Sequence, residues 1–263
     1  MKVTNKVIVV TGAGSGMGRE LSIQLVQKGA KVALVDIQEE GLQETASLAG
    51  KDQVSLHVVN ITDRDTVNQL PAEVIASHGA VDGIINNAGI IQPFVDVKDL
   101  DYAVIEQVMN VNFYGTLYMV KAFLPELLKR PEAHIANVSS MGGFIPFPGQ
   151  TFYSASKAAV KILTEGLYSE LKGTTVGVTV IHPGAVNTNI MKNSDVQSPG
   201  SATAAEAGSK ILSAEKAAAI MIDGIERNKY RVLVGKDATM LDYLYRFNPK
   251  MAVDLIVKKM KKM

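Results

Sequence analysis

The chain has 263 residues, with 27 Lys and Arg against 26 Asp and Glu and a formal net charge of +1. This balance lacks the basic excess of a general nucleic-acid binder and gives no reason to expect an acidic partner. There is no cysteine, which excludes disulfides, thiolate catalysis and zinc–thiolate centres. At 47% apolar the chain can fill one core of ordinary size. No apolar run approaches the roughly 20 residues of a membrane span, and the run ending at Thr11 is too short for a signal-peptide core. The expected location is the cytoplasm.

Short apolar runs rich in β-branched residues alternate with longer helical patterns. The runs are Val7–Val10, Val32–Val35, Val54–Val59, Val81–Ile85, Ile135–Val138, Val176–Ile181 and Arg231–Val234. Helical patterns cover about 17–28, 39–49, 63–78, 99–129, 153–172 and 214–227. The runs lack strict alternation, so strands buried on both faces are expected. Strand and helix in turn predict an α/β fold: a Rossmann-type, doubly wound parallel sheet of about seven strands with helices on both faces. No Pro/Gly/Ser-rich linker divides the chain, so 1–263 reads as a single domain. The irregular stretch at about 187–213 is expected to be a lid over a site, and about 236–263 a helical tail.

Directly after the first strand comes Thr11-Gly12-Ala13-Gly14-Ser15-Gly16-Met17-Gly18, followed by a helical pattern. Glycines at such a turn reach dihedrals closed to other residues and admit a ligand close to the backbone. The helix start offers free N–H groups and a positive dipole end to a pyrophosphate. The second strand ends in Asp36, placed to accept hydrogen bonds from the ribose hydroxyls of an adenosine. Its carboxylate repels a 2′-phosphate. Position 15 is Ser and position 37 is Ile, so no basic residue is there to welcome one; both features favour NAD over NADP.

Tyr153 and Lys157 stand at i and i+4 near the start of a helix, on one face. A free phenol has a pKa near 10 and is a poor acid–base group at neutral pH. An ammonium about 5 Å away, at an effective dielectric near 20, is worth roughly 3 kcal/mol, or about two pKa units. That predicts a phenol brought towards working pH. Ser140 follows the strand Ile135–Val138 at the carboxyl edge of the sheet, where its hydroxyl can polarise a substrate carbonyl; Ser139 is the competitor.

Taken together, Thr11-Gly12-x-x-x-Gly16-x-Gly18, Asn86-Asn87-Ala88-Gly89, Asn112, Ser140, Tyr153-x-x-x-Lys157 and Pro183-Gly184 closely resemble the classical short-chain dehydrogenase/reductase family, from about residue 5 to 235. The resemblance implies a hydride transfer between NAD and a carbonyl or alcohol carbon. It implies that Tyr153 is the acid–base residue, that Lys157 lowers its pKa and holds the nicotinamide ribose, and that Ser140 polarises the substrate oxygen. Asn112 would distort its helix and hold a relay water, with Asn110 as the close alternative. The implied cofactor contacts are Gly12, Ser15, Gly16, Met17 and Gly18, then Asp36 and Ile37, and Asn60 and Ile61 beside the adenine. They continue with Asn87, Ala88 and Gly89, with Tyr153 and Lys157, and with Pro183, Gly184, Val186 and Thr188 around the carboxamide. A homotetramer, or else a dimer, is implied through the long helices at 99–129 and 153–172.

Substrate contacts are expected from Ser140, Met141, Phe144, Gln150, Tyr153 and Met191, with Ile91, Phe94 and Phe147 nearby. The set is mostly apolar and has no Arg clamp for an anion, so a small to medium hydrophobic ketone and its secondary alcohol are the expected pair. A 3-oxoacyl thioester or steroid is the alternative substrate. An epimerase of the extended group normally carries a longer C-terminal region. A non-catalytic NAD-binding sensor has no need of Ser140, Tyr153 and Lys157 together. His182 reads as structural, and His57, His78 and His134 show no metal-ligand spacing. The basic tail ending Lys258-Lys259-Met260-Lys261-Lys262-Met263 fits a helix packed on the body, in preference to one resting on a membrane.

Overall fold

The structure is a computed structural model and describes residues 1–194, 196 and 211–260. Along the chain, β1 (Val7–Thr11), α1 (Gly16–Gln27), β2 (Lys31–Asp36), α2 (Glu39–Ala49), β3 (Val54–Val58), α3 (Arg64–His78) and β4 (Gly83–Asn86) form the first half. The second half has α4 (Tyr102–Met109), α5 (Thr116–Leu127), β5 (Ala133–Val138), α6 (Thr151–Glu170) and β6 (Val176–Pro183). After these come β7 (Val186–Asn187), α7 (Ile190–Asn193), β8 (Leu212–Ser213), α8 (Ala214–Glu226), β9 (Arg231–Val234), α9 (Lys236–Phe247) and α10 (Pro249–Met260).

Seven strands form one sheet in the order β3-β2-β1-β4-β5-β6-β9, parallel throughout. Strand order reverses between β1 and β4, so the loops leaving these two strands diverge and open a crevice at the carboxyl edge. One face of the sheet buries Leu21, Leu25, Leu42, Met221 and Ile222 from α1, α2 and α8. The other buries Val67, Leu70, Met119, Phe123, Leu127 and Leu167 from α3, α5 and α6. A third cluster joins Leu241, Ala252 and Ile256 of α9 and α10 to Ile145, with Met141, Phe144 and Phe147 against it.

The strands expected to be buried on both faces are so at β1 and β5. β3 departs from this because it is the sheet edge, and Leu56 and Val58 stay exposed. The fourth strand starts at Gly83 rather than Val81. The preceding Asp82 accepts the Val7 N–H (2.9 Å) and the Arg130 Nε (2.8 Å), so its carboxylate ties off the strand entry. Asp63 caps α3 rather than joining it, its carboxylate accepting from the Asp65 and Thr66 N–H groups. The single helix expected at 99–129 is instead α4 and α5, joined through a π-helical turn at Asn110–Gly115. The tail is two helices with Asn248 between them, packed on the body. Most of the expected lid lies outside the described residues. Of the helices described, none is long and apolar enough to cross a membrane.

Candidate active site

The crevice begins at the glycine-rich turn. Gly12 has φ +68° and Gly16 φ +53°, both in the left-handed region that glycine occupies without strain. A Cβ on Gly12 would stand 3.0 Å from the Ala88 Cα and 3.0 Å from the Asn87 Nδ2, so the turn and the loop after β4 meet backbone to backbone. The Thr11 hydroxyl accepts from the N–H groups of Asn87 and Ala88, both at 3.0 Å, and the Asn87 amide donates back to the Thr11 carbonyl at 3.0 Å. Deeper in the sheet, the Asn86 amide donates to Asn137 Oδ1 and Asn137 to the Thr164 hydroxyl, bracing β4, β5 and α6.

Above this floor lies a cavity of about 340 Å³. Its lining includes Gly12, Ser15, Gly16, Met17, Asp36, Ile37, Asn60, Ile61, Asn87, Ala88, Gly89 and Thr188, all expected from sequence. Gly14, from the quoted turn, and Asn189, Ile190 and Asn193, from the expected lid, also line it, as does Gln38, which carries no sequence signal. Gly18 does not; it packs on the Gly12 carbonyl and lets α1 leave the turn closely. Pro183, Gly184 and Val186 stand outside the cavity lining, and so do Tyr153 and Lys157. Gly184 backs onto the Asp237 carboxylate, which accepts the Ala185 N–H at 2.7 Å, and Val186 pairs with Leu212.

Asp36 Oδ2 accepts the Gly14 N–H at 2.9 Å and Oδ1 the Gln38 N–H at 3.0 Å. A carboxylate offers about four lone-pair sites, so it can hold the turn and still take two hydroxyls. The start of α1 has no side-chain cap and no acidic residue in its first turn, leaving N–H donors aimed at the cavity floor. A glycine cradle, uncapped helix donors and a carboxylate at the second strand end are the donor set a dinucleotide requires, and these residues fit one. The first part of the 187–213 stretch closes on the turn: Asn193 donates to the Ser15 hydroxyl (3.0 Å), and Ser194 accepts the Ile91 N–H (3.1 Å).

Tyr153 is set by a residue that sequence did not announce. Gln92, fully buried, places its Oε1 2.8 Å from the Phe152 nitrogen and 2.9 Å from the Tyr153 nitrogen, capping the first turn of α6 from another loop. Its Nε2 donates to the Gly149 carbonyl, and its own carbonyl accepts from Gln150 Nε2 at 2.7 Å. Gln150, expected to touch substrate, spends its Nε2 on this brace and leaves its buried Oε1 unpaired.

Ser140 and Ser139 separate clearly. Ser139 donates to the Lys157 carbonyl at 2.7 Å and is turned into α6. The Ser140 oxygen accepts the Gly142 N–H at 3.0 Å, which leaves its own hydrogen free, and it adjoins the Tyr153 phenol. A Cβ on Gly142 would lie 3.4 Å from both the Ser140 Oγ and the Tyr153 ring. Lys157 Nζ donates to the Val138 carbonyl at 3.1 Å. A Cβ on Gly89 would stand 3.0 Å from that Nζ and 3.1 Å from Asn112 Oδ1, so glycine, ammonium and amide converge. Asn112 sits in the π-helical turn; its amide pairs with both the N–H (2.9 Å) and the carbonyl (3.0 Å) of Ile90 and donates to the Ser156 hydroxyl.

The electrostatics differ from the expectation that Lys157 lowers the phenol. Burial pushes the Tyr153 pKa above its ordinary value, and the Ser140 hydroxyl pulls it partly back. Lys157 is itself held down to about 8 by burial. The physical reason is that both groups lose water together, and the ammonium is directed at the Val138 carbonyl.

His182 is fully buried and held down to about 4 by loss of water, hence neutral. Its Nδ1 faces the Ser140 carbonyl at 2.9 Å, which fixes Nδ1 as the protonated nitrogen and makes the ring a brace for Ser140. Its ring meets Phe144 edge-on at 5.4 Å, and the Arg231 guanidinium lies 5.3 Å from the Phe144 centroid. Met141, Phe144 and Phe147, expected near the substrate, pack against the third core instead. Met191, on α7, is exposed and stands outside the cavity. His57 and His78 share the Ser55 hydroxyl, and no metal-ligand cluster occurs among the described residues.

Comparison with known proteins agrees with this geometry. Residues 6–198 match the sequence model of the short chain dehydrogenases. The chain is 37% identical over 249 residues to SadH of Mycobacterium tuberculosis, whose name places it among the oxidoreductases, covering 92% of this chain and 90% of that protein. An uncharacterized oxidoreductase of Staphylococcus aureus, MW2403, is 40% identical over 190 residues, covering 72% of this chain and 81% of its own. A short-chain dehydrogenase/reductase from Burkholderia phymatum in complex with NAD superimposes with a TM-score of 0.85 at 26% identity, covering 95% of this chain and 96% of that one. A short chain dehydrogenase from Burkholderia cenocepacia in complex with NADP gives 0.82 at 26% identity, covering 97% and 99%. With the parallel sheet, the glycine cradle and the Ser140–Tyr153–Lys157 cluster in place, these similarities establish that the chain belongs to the short-chain dehydrogenase/reductase family and is an oxidoreductase of nicotinamide dinucleotide type.

Proposed function

We propose that the protein interconverts a hydrophobic secondary alcohol and its ketone with NAD, using Tyr153 as acid and base. The observation that carries this reading is the Ser140 hydroxyl beside the Tyr153 phenol, at the carboxyl edge of β5. The bound dinucleotide supplies or accepts the hydride. In the reducing direction the phenol gives its proton to the substrate oxygen while Ser140 donates a hydrogen bond to the same atom, sharing the developing charge. The Lys157 ammonium uses one donor on Val138 and retains two for the ribose and the proton path. Asn112 holds the neighbouring backbone, and Asn193 and Ser194, at the start of the expected lid, tie that segment to Ser15 and Ile91. NAD is favoured over NADP by Asp36, with Ser15 and Ile37 offering no countercharge. A homotetramer is supported by Tyr102, Tyr114, Leu128 and Ile162, which α4, α6 and the turns between leave exposed.

The test is a turnover screen of purified protein against apolar ketones and alcohols, acidic ketones and sugars, each with NAD(H) and NADP(H). Turnover of apolar ketones with NADH supports the proposal. Turnover confined to anionic or sugar substrates, or to NADPH, overturns it. Sedimentation of the same sample reads the assembly.

A further inference from the structure

The helical hairpin α9–α10 buries one face and leaves another that the fold does not use. Leu241, Ala252 and Ile256 point inwards. Outwards, Met240 (49% exposed), Tyr243 (70%) and Phe247 (84%) follow one another at i, i+3 and i+7, and Met251 (43%) is exposed on α10. At 100° per residue the three α9 positions fall within a 60° arc, with Lys236 in the same arc, by the geometry of a regular helix (about 3.6 residues per turn). Met240, Tyr243 and Phe247 on one arc make an apolar stripe, not a scatter of single residues.

Charge says what the patch faces. Residues 236–263 carry Lys236, Arg246, Lys250, Lys258, Lys259, Lys261 and Lys262 against Asp237, Asp242 and Asp254, which is 7 − 3 = +4. The whole chain carries +1, so the remaining residues carry 1 − 4 = −3. All three acids are engaged: Asp237 with the Ala185 N–H, Asp242, buried, with Arg231 at 2.6 Å and Arg246 at 3.0 Å, and Asp254 with Lys250 at 2.8 Å on the surface of α10. Lys236, Lys250, Lys258 and Lys259 are exposed. An isologous contact between two copies through the described hairpin, 236–260, where five Lys and Arg stand against three Asp (5 − 3 = +2), would bring +2 against +2. An anionic lipid surface satisfies both features at once: aromatic rings settle at headgroup level and lysines around them meet the phosphate layer.

We infer that the outer face of α9–α10 is a peripheral docking surface for an anionic lipid bilayer, with Tyr243 and Phe247 as the inserted side chains. The inner face of the same hairpin packs against Met141, Phe144 and Phe147, which follow Ser140 in the chain.

Co-sedimentation of the intact protein with vesicles of phosphatidylcholine, with and without phosphatidylserine, tests this. The expected result is partition onto the phosphatidylserine vesicles alone, falling steeply as salt is raised. Tyr243→Asp with Phe247→Asp, both outside the fold's core, should weaken partition at least about tenfold while circular dichroism stays unchanged. Lys258→Glu with Lys259→Glu should weaken it by more than about tenfold through charge alone. No partition onto anionic vesicles, or equal partition of the wild type and the Asp variant, overturns the inference. So does a concentration-dependent dimer that the Asp variant abolishes, which would assign the face to a second copy of this chain.

Discussion

The Oε1 of Gln92 accepts the backbone N–H of Tyr153 at 2.9 Å, so a residue 61 positions upstream fixes the first turn of the helix that carries the phenol. Gln92→Leu keeps the volume and removes the acceptor. It leaves two part-buried N–H groups unpaired and should cost about 1–2 kcal/mol in a denaturant melt. The turnover number should fall several-fold as α6 loosens at its start, with little change in dinucleotide affinity. A variant as stable and active as the wild type would remove Gln92 from the site's support.

Tyr153→Phe removes only a hydroxyl. Turnover should drop on the order of 10³-fold, the scale of acid–base catalysis, while dinucleotide binding by fluorescence titration stays within a few-fold. Ser140→Ala should lower turnover as well. Ser139→Ala should mainly lower stability, because that hydroxyl is spent on the Lys157 carbonyl. Equal kinetic effects from the two serines would reverse their assignment.

Asp36 both holds the Gly14 N–H and faces the cavity. Asp36→Ser removes the charge that repels a 2′-phosphate. The ratio of kcat/KM for NADH over NADPH should fall at least about tenfold, measured with one ketone. An unchanged ratio would place cofactor choice elsewhere.

In the reducing direction both Tyr153 and Lys157 act protonated. Tyr153 is raised above its ordinary 10.0, while Lys157 lies at about 8, so the first group to lose its proton as pH rises is the lysine. The kcat/KM of reduction should therefore fall as pH rises through about 8. A profile flat to pH 10 contradicts a protonated Lys157 in the reaction.

Two buried histidines set the response to acid. His134 is held down to about 3 and His182 to about 4, both by burial, against an ordinary 6.5. Between 6.5 and these values the unfolded chain binds protons that the folded chain refuses, so stability falls as pH falls through that interval. The melting temperature should decline from pH 6.5 towards pH 4, and His182→Asn, whose amide can still donate to the Ser140 carbonyl, should reduce the slope. A melting temperature constant across that range would show that these rings are not held neutral.

What was readable in the sequence was local. Gly12 to Gly18 follow β1 without a break, Asp36 ends the next strand, and Tyr153 and Lys157 are one helical turn apart, so backbone geometry alone brings their roles to view. The π-helical distortion at Asn112 came only through the family pattern, because nothing in Asn110-Val111-Asn112 breaks a helix. Gln92 gave no signal: its partners lie 60 and 61 residues away and its use of them is purely tertiary. The effect of Lys157 on Tyr153 was misjudged for a related reason. Spacing fixes the distance between two side chains, but the water each one loses depends on everything packed around them. The wall residues Phe144 and Phe147 looked like pocket lining because their second neighbours, α9 and α10, follow nearly a hundred residues later.

The wide turn at Asn110–Gly115 has a mechanical consequence. An α-helix advances about 100° per residue, so relaxing this turn to regular geometry would rotate one half of the rod against the other by about that angle. Val108 on one side, and Met119, Phe123 and Leu127 on the other, are seated in the interior and would be swung out of it. The irregular loop of backbone that presents Asn112 is therefore clamped from both ends by oily ballast remote from the chemistry. A mutation in that ballast can detune the reaction centre without touching it.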